Sequence, residues 1–541
     1  MKLVNVETMR TIEKKAVQHG LSVDKMMENA GQSLGKWVVK NLYEYRSNKV
    51  IGLVGAGNNG GDTLIALEYL AKQGWKVGAC VVRPKADNDP LLVRLRQADG
   101  WVSQYEENNT SAWFSDFLEN HSIVLDGILG TGLHLPLKED MAAVLAKAKE
   151  AVLKYQDIAI VAVDCPSGVD CDSGETAPET IRASYTVCMA AVKEGLVKMP
   201  GFLLAGKIAV VDIGLPEDLA ENHRIKQHVV DEEMVQSILP LRPMDAHKGT
   251  FGTVLAVAGS VNYTGAALLA GKAAYRIGAG LVTMAVPTPL YNVIAGQFPE
   301  VTWLLLPHEQ GVIAEGATEL VRKNANKATA LLLGPGWGLE ETTFRFVKRL
   351  FEGEVAKERR SIGFAPSTSK TSLTAELELP ALVVDADGLK LLARISNWPD
   401  LLPKLSVLTP HPGEMSILCG LSKDQIQADR FAVALKFAHQ WGHIVVLKGA
   451  LTAVASPDGR LAVIPVASPA LARAGTGDVL AGIITGLRAQ GVSAFEAAVA
   501  GAWIHAQAGL LAAHRIGTTA SVVAGDVLDA IGGIMHMVQP G

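Results

Sequence analysis

Val50-Ile51-Gly52-Leu53-Val54-Gly55-Ala56-Gly57-Asn58-Asn59-Gly60-Gly61-Asp62 reads as an apolar strand running into a glycine-rich turn that opens a helix. The glycines satisfy the spacing of a dinucleotide-binding turn. Two neighbours speak against that use. The following strand ends Cys80-Val81-Val82-Arg83, where such a unit needs an acid for the ribose. Asp62 stands near the helix start, where a pyrophosphate would bring like charge. A plain N-cap is the other role open to Asp62.

Outward from this turn the pattern repeats. Helical periodicity over roughly 6–19 and 24–42 precedes it. The apolar runs WKVGACVV, SIVLDGILG, IAIVAVDCPSG, SYTVCMAA and KIAVVDIG follow, separated by amphipathic segments. Strands alternating with helices predict a largely parallel sheet covered on both faces. Residues 217–247 are polar, carry Pro240 and Pro243, and read as an inter-domain connection. A second α/β series then runs through FGTVLAVAG, GLVTMAV, ATALLLGPG, ALVVDAD, LSVLTPHPGE and HIVVLKGA, and the chain turns mostly helical from Asp478. The segment 352–378 is charged, rich in Ser and Thr, and lacks strand patterning, so it is expected to be a surface insertion. The domains expected are 1–222 and 228–541.

Composition narrows the class. Of the 541 residues, 49% are hydrophobic and 19% charged, which suits a large buried core. A net charge of -5 offers no basic footprint for nucleic acid. The five cysteines form no CxxC pair, so a reducing compartment is expected. The opening MKLVNVETMRTIEKK has no apolar signal core, and 494–513 is interrupted by Glu496, His505 and Gln507. A cytoplasmic protein without a membrane span is the expectation.

Two more turns follow strands in the first series: Asp126-Gly127-Ile128-Leu129-Gly130-Thr131-Gly132 and Asp164-Cys165-Pro166-Ser167-Gly168. In a parallel sheet the carboxyl ends of the strands share one rim. Asn58, Asn59, Asp126, Thr131, Asp164 and Ser167 are thus placed to converge, with oxygens suited to a hard cation. GNNGGD, DGILGTG and VDCPSGVD, with MMENAG before them, resemble the NAD(P)H-hydrate epimerase family over roughly residues 1–220. The resemblance implies a Rossmann-like three-layer sandwich. It implies that Asn58, Asn59, Gly60, Gly61 and Asp62, the loop Gly130, Thr131, Gly132, Leu133, His134, Leu135 and Pro136, and Asp164 surround the hydrated nicotinamide. It also implies a potassium ion near Asn59, Asp126 and Ser167. Thr63 departs from the family, which usually has glycine there. Epimerisation needs the ring hydroxyl to leave and return on the other face, and Asp164 is the candidate acid.

The second series carries Ala474-Gly475-Thr476-Gly477-Asp478. A glycine turn feeding a helix presents backbone N–H groups to a phosphate in transfer. Asp478, at the first turn, can take a proton from an attacking hydroxyl; a helix cap is its other possible role. Lys448-Gly449-Ala450-Leu451-Thr452 follows a strand and can approach nucleotide phosphates. His411 can contact the acceptor or simply bond a turn. This set resembles the ribokinase-like superfamily. Within it, LLLGPGWG, DADGL, TPHPGEM, KGALT and AGTGDVLAG are similar to the ADP-dependent NAD(P)H-hydrate dehydratases, over nearly all of 228–541. The resemblance implies that Ala266, Gly336 or Gly338, His411 and Asp478 touch the hydrated cofactor. It implies that Lys448 to Thr452 and Ser468 to Gly477 hold the adenine nucleotide, with magnesium on ADP. Departures are Lys390, where Asn is common, and Ser468-Pro469-Ala470-Leu471. The implied partners are hydrated NADH and NADPH, ADP and further copies of the chain in a homo-oligomer. Two readings compete: a small-molecule kinase acting on a vitamin precursor, and a non-catalytic N-terminal module that binds nucleotide without turnover.

Overall fold

The computed structural model describes residues 1–43, 48–105, 122–155, 157–352 and 379–539. The expected insertion lies, from 353 onward, outside the described residues. The chain divides into two compact units, Met1–Val229 and Val230–Gly541.

The first unit opens with α1 (Val6–Gln18) and α2 (Val23–Leu42), capped by the side chains of Asn5 and Ser22. Its sheet holds β1 (Lys49–Val54), β2 (Lys76–Val81), β3 (Trp101–Gln104), β4 (Ile123–Gly127), β5 (Ala159–Val163), β6 (Tyr185–Met189) and β7 (Lys207–Val211). The spatial order is β3-β2-β1-β4-β5-β6-β7, and every pairing is parallel. The order reverses between β1 and β4, and a doubly wound sheet opens its binding crevice at such a reversal. Alternation along β1 sorts two cores. Val50 and Val54 join Leu34, Val38 and Leu64 from α2 and α3 (Asn58–Lys72). Ile51 and Leu53 pack with Val144 and Leu145 of α4 (Glu139–Leu153) on the other face. Helices therefore cover both faces, as a three-layer sandwich requires.

The second unit is built on β8 (Thr253–Val257), β9 (Leu281–Pro287), β10 (Thr302–Leu306), β11 (Ala330–Leu333), β12 (Ala381–Val384), β13 (Val407–Leu408), β14 (Ile444–Leu447), β15 (Ala453–Ala455) and β16 (Leu461–Val463). Within this unit they run in the order β16-β15-β14-β13-β12-β11-β8-β9-β10. All pairings from β14 to β10 are parallel; β15 and β16 continue as an antiparallel edge. Helices α5 (Thr264–Arg276), α6 (Pro412–Cys419), α7 (Thr476–Ala489), α8 (Ala494–Ile516) and α9 (Ala524–Val538) complete the principal elements. Among the described residues no helix is long and apolar enough to cross a membrane.

The stretch 217–247 is not a plain connection. Asp231 caps a helix over Glu232–Ile238 through the Met234 N–H, and Val230, Val235 and Leu239 are buried in the second unit's core. The helix is only seven residues long, and its three apolar anchors are hidden among charges in the sequence. The strands β3, β10, β15 and β16 also escape the sequence pattern. β3 and β10 are half-exposed, and β15 and β16 have three residues each.

Candidate functional site

In the first unit the rim is assembled by three strand ends. The β1 turn can form because Gly55 and Gly60 carry no Cβ. One on Gly55 would meet the Ile128 carbonyl at 1.9 Å, and one on Gly60 the Gly55 carbonyl at 2.1 Å. Gly57, not Asp62, caps α3, so the N-cap role for Asp62 fails; it is the fifth helical residue, in the second turn. Asn58 is exposed on the first turn. Asn59 reaches down, its Nδ2 donating to the carbonyls of Val163 at 2.6 Å and Leu129 at 3.1 Å. Gly130 passes so close that a Cβ there would lie 2.5 Å from Asn59 Oδ1.

Asp126 at the end of β4 is fully buried. It accepts the Ser167 hydroxyl at 2.5 Å and the Ser167 N–H at 2.8 Å. Ser167 Oγ in turn accepts the Leu129 N–H at 2.9 Å. Asn59 and Ser167 thus hold the carbonyl and the N–H of Leu129, and Asp126 holds Ser167. Burial raises the Asp126 pKa above the ordinary carboxylate range, while the Ser167 contacts oppose that rise. An all-oxygen set suits a hard cation better than zinc or another thiolate-seeking ion. Thr63 does not obstruct the turn. Its hydroxyl donates back to the Asn59 carbonyl at 2.7 Å, and its methyl faces Gly52, which has no side chain.

Asp164 leaves β5 with φ +67, a conformation that Asp tolerates better than most residues. Its Oδ1 receives the Met189 N–H at 2.8 Å and the ammonium of Lys193, a fully buried ion pair. Burial alone lowers the pKa of Lys193, but the Asp164 carboxylate overcomes it and the net shift is upward. Asp62 lies in the same field, buried and near Asp164, Glu13 and Lys193. Along the loop, the Thr131 carbonyl accepts from Arg10 at 3.5 Å, Gly132 has open space around it, and Leu133 to Pro136 alternate between half-buried and exposed.

In the second unit the corresponding turn is tighter. Gly475 has φ +89 and caps α7, which places Asp478 third in the helix and again rules out the cap role. Thr476 stiffens the turn, donating its hydroxyl to the carbonyls of Leu471 at 3.0 Å and Arg473 at 2.8 Å. Ser468 caps the short turn Pro469–Leu471 beneath it, and Ala474 is exposed at the tip. Gly477 lies over Lys448: a Cβ there would stand 3.4 Å from the ammonium.

Lys448 pairs with Asp385 at 2.7 Å and Glu414 at 3.7 Å, and Thr409 donates to the same Asp385 oxygen at 2.7 Å. The Asp478 pKa is pushed up to about 7 by burial first and then by Asp385; Lys448 opposes and Asp387 and Glu414 add to it. The lysine loop turns through Gly449 at φ +146 and Leu451 at φ +56, with Thr452 accepting the Gly449 N–H at 3.3 Å and Ala450 exposed.

Ala266 and Gly336 meet closely: a Cβ on Gly336, at φ +67, would touch that of Ala266 at 2.8 Å. Gly338 donates its N–H to Asp387 at 3.0 Å, and Lys390 pairs with the other oxygen of Asp387 at 2.9 Å. His411 caps α6, accepting from Gly413 and Glu414 on Nδ1, with Nε2 3.3 Å from Glu414. Burial lowers its pKa, which favours the neutral ring.

Sequence reasoning missed Glu13, Lys193 and Arg430. Arg430 donates to the carbonyls of Leu447 at 2.9 Å and Lys448 at 3.1 Å, holding the lysine loop from outside. Asp385, Asp387 and Glu414 stood within quoted motifs without assigned roles. The one available signal for Lys193 was a lysine directly after an apolar run.

The family model for NAD(P)H-hydrate dehydratase matches residues 254–531, and that for the YjeF-related protein N-terminus matches 23–195. A bifunctional NAD(P)H-hydrate repair enzyme of Moorella thermoacetica is 34% identical over 526 residues, covering 95% of this chain and 92% of the relative. Its counterpart in Thermofilum pendens is 33% identical, with 96% and 93% covered. Among solved structures, the ADP/ATP-dependent NAD(P)H-hydrate dehydratase of Bacillus subtilis, co-crystallised with ATP and magnesium, is 27% identical with a TM-score of 0.46. That match covers 58% of this chain and 99% of that one.

Proposed function

The chain belongs to the family of bifunctional NAD(P)H-hydrate repair enzymes, and on that premise we infer how its two sites divide the work. The protein carries an epimerase unit and a dehydratase unit. Hydration of the nicotinamide ring gives two epimers; the first site interconverts them and the second returns one of them to the active cofactor.

The observation that carries the dehydratase assignment is the pairing of Asp478 with a glycine-capped helix start beside Lys448. A carboxyl poised at about 7 is matched to a general base at neutral pH. Asp478 takes the proton of the ring hydroxyl while that oxygen attacks the terminal phosphoryl of ADP. AMP leaves, the N–H groups of the Gly475 turn receive the transferring charge, and Lys448 steadies it. The ring nitrogen then expels phosphate, a better leaving group than hydroxide, and loss of a proton restores the dihydropyridine. Among the described residues no group of three or more His, Cys, Asp or Glu is placed to hold a metal. Magnesium would come with the nucleotide and neutralise its diphosphate.

In the epimerase unit the GNNGGD turn, the 130–136 loop and Asp164 line the nicotinamide site in this reading. Asp164 is a catalytic residue whose carboxylate, held by Lys193, faces the cationic ring. Asn59, Asp126 and Ser167 would hold potassium, whose charge would help fix the turns. We assign the substrates as hydrated NADH and NADPH, the working state as a homo-oligomer and the compartment as the cytoplasm. The vitamin-precursor kinase draws no support from a specific contact.

The test is recovery of the nicotinamide absorbance band from a mixture of both hydrate epimers, with magnesium and ADP and then ATP. Full recovery is expected. It should fall to one epimer's share in Asp164→Asn and vanish in Asp478→Asn. Nucleotide consumption with a vitamin-type alcohol and no absorbance gain would overturn the assignment.

A further inference from the structure

Asp164 after β5 and Lys193 after β6 form an ion pair at the epimerase site, and two further carboxyls, Asp62 on α3 and Glu13 on α1, lie within its electrostatic reach. They cannot all carry charge cheaply in a buried site. The contacts decide which does. Lys193 and the Met189 N–H both point at Asp164 Oδ1 and stabilise negative charge there. Asp62 is 6% exposed, and among the described residues no hydrogen bond or ion pair engages its carboxyl. It does not cap its helix, so no structural duty explains a buried acid in the second turn.

We propose that Asp62 is the proton donor of the epimerase, with the Asp164–Lys193 pair as the fixed charge beside it and Glu13 as a positioning residue. The inference rests on the epimerase reading above. Burial, then Asp164, then Glu13 push the Asp62 pKa well above the ordinary carboxylate range, with Lys193 opposing. Burial and Asp164 also raise the Glu13 pKa, and Lys193 and Arg10 oppose that rise without cancelling it. From the other packed elements, Glu28 of α2 and Arg94 are tied to each other at 2.9 Å, and Arg94 also holds Glu68.

The chemistry balances without any other reagent. The Asp62 proton passes to the ring hydroxyl, the C–O bond breaks and water departs with the electron pair. The nitrogen lone pair closes a C=N bond, and the cation faces Asp164. Water adds to the opposite face and its proton returns to the carboxylate cluster, restoring Asp62.

The experiment follows conversion of a purified epimer by chiral chromatography across neutral to alkaline pH, on the full chain without nucleotide. Wild type should lose kcat along an alkaline limb as Asp62 ionises. Asp62→Asn should lower kcat by about 100-fold or more, leave KM within about threefold and abolish the limb. Glu13→Gln removes a charge that keeps Asp62 protonated, so its limb should move to lower pH, a change that a loss of packing would not produce. Retention of the limb in Asp62→Asn, or an unmoved limb in Glu13→Gln, would overturn the proposal. Dehydration of the competent epimer, run on the same Asp62→Asn preparation, should stay at the wild-type rate and so report an intact chain. A wild-type chain that fails to interconvert the epimers would refute the epimerase reading itself.

Discussion

The two glycine turns look alike in sequence, GNNGGD and GTGD, yet they set their aspartates differently. Gly57 places Asp62 fifth in its helix, and Gly475 places Asp478 third. Each site has one buried lysine, and in each the lysine pairs with a different carboxylate: Lys193 with Asp164, Lys448 with Asp385. Asp62 and Asp478 are each left without an ion-pair partner of their own among the described residues. Asp62, the more deeply buried of the two, is pushed well up and holds its proton. Asp478, at the first turn where helix N–H groups favour an anion, stops at about 7 and can give or take one. A shared device thus yields an acid in one unit and a base in the other.

The widest break in this comparison should come from Asp478→Asn. Dehydration should fall by about 10²–10⁴-fold, while epimerisation measured on the same preparation stays at the wild-type rate. Equal losses in both activities would mean that the units do not divide the chemistry.

Lys448 tests whether the lysine sets the base. Lys448→Met should cost about 10²–10³-fold in kcat/KM for the nucleotide. It should also move the acid limb of the pH profile. The base works when ionised, so wild-type kcat/KM rises with pH and levels off above about 7. Lys448 lowers the Asp478 pKa, so its loss should shift that limb to higher pH. Asp387→Asn, which removes a raising charge, should shift it the other way.

How much of this was legible follows from what each residue depends on. The turns were readable because glycine spacing after a strand is local. Asn59, Asp126 and Ser167 stood at the ends of parallel strands, which share a rim by topology; in the structure Asn59 and Ser167 both bond Leu129, and Ser167 bonds Asp126. Lys193 and Glu13 were not readable. Lys193 ends a strand of only two residues, Val192–Lys193, too short to leave a pattern, and Glu13 lies on an amphipathic helix whose charges resemble an ordinary wetted face. The cap role for both aspartates failed for one reason: glycine took the cap position, which the sequence pattern alone does not reveal.

A smaller effect separates scaffold from chemistry in the first unit. Ser167→Ala removes three contacts of its side chain, to Asp126, the Leu129 N–H and, at 3.5 Å, the Leu129 carbonyl, and leaves Asp126 buried with its backbone bonds alone. The expected cost is about 1–3 kcal/mol, read as a lower melting temperature of the first unit. If potassium binds there, wild type should melt higher in potassium than in a large organic cation, and the variant should lose that difference.

The last prediction concerns stability at the second site, and its sign runs against intuition. The Asp478 carboxyl rises from 3.8 to about 7 on folding. The folded state therefore binds this proton more tightly, and the group's contribution falls as pH climbs from about 4 through about 7. Asparagine mimics the protonated form and never ionises. Asp478→Asn should thus match wild type near pH 4 and melt higher than wild type at pH 8, by about 2–4 °C for each kcal/mol relieved. An equal or lower melting temperature at pH 8 would mean that the base is not held at a cost, and the contrast with Asp62 would then lie in depth of burial alone.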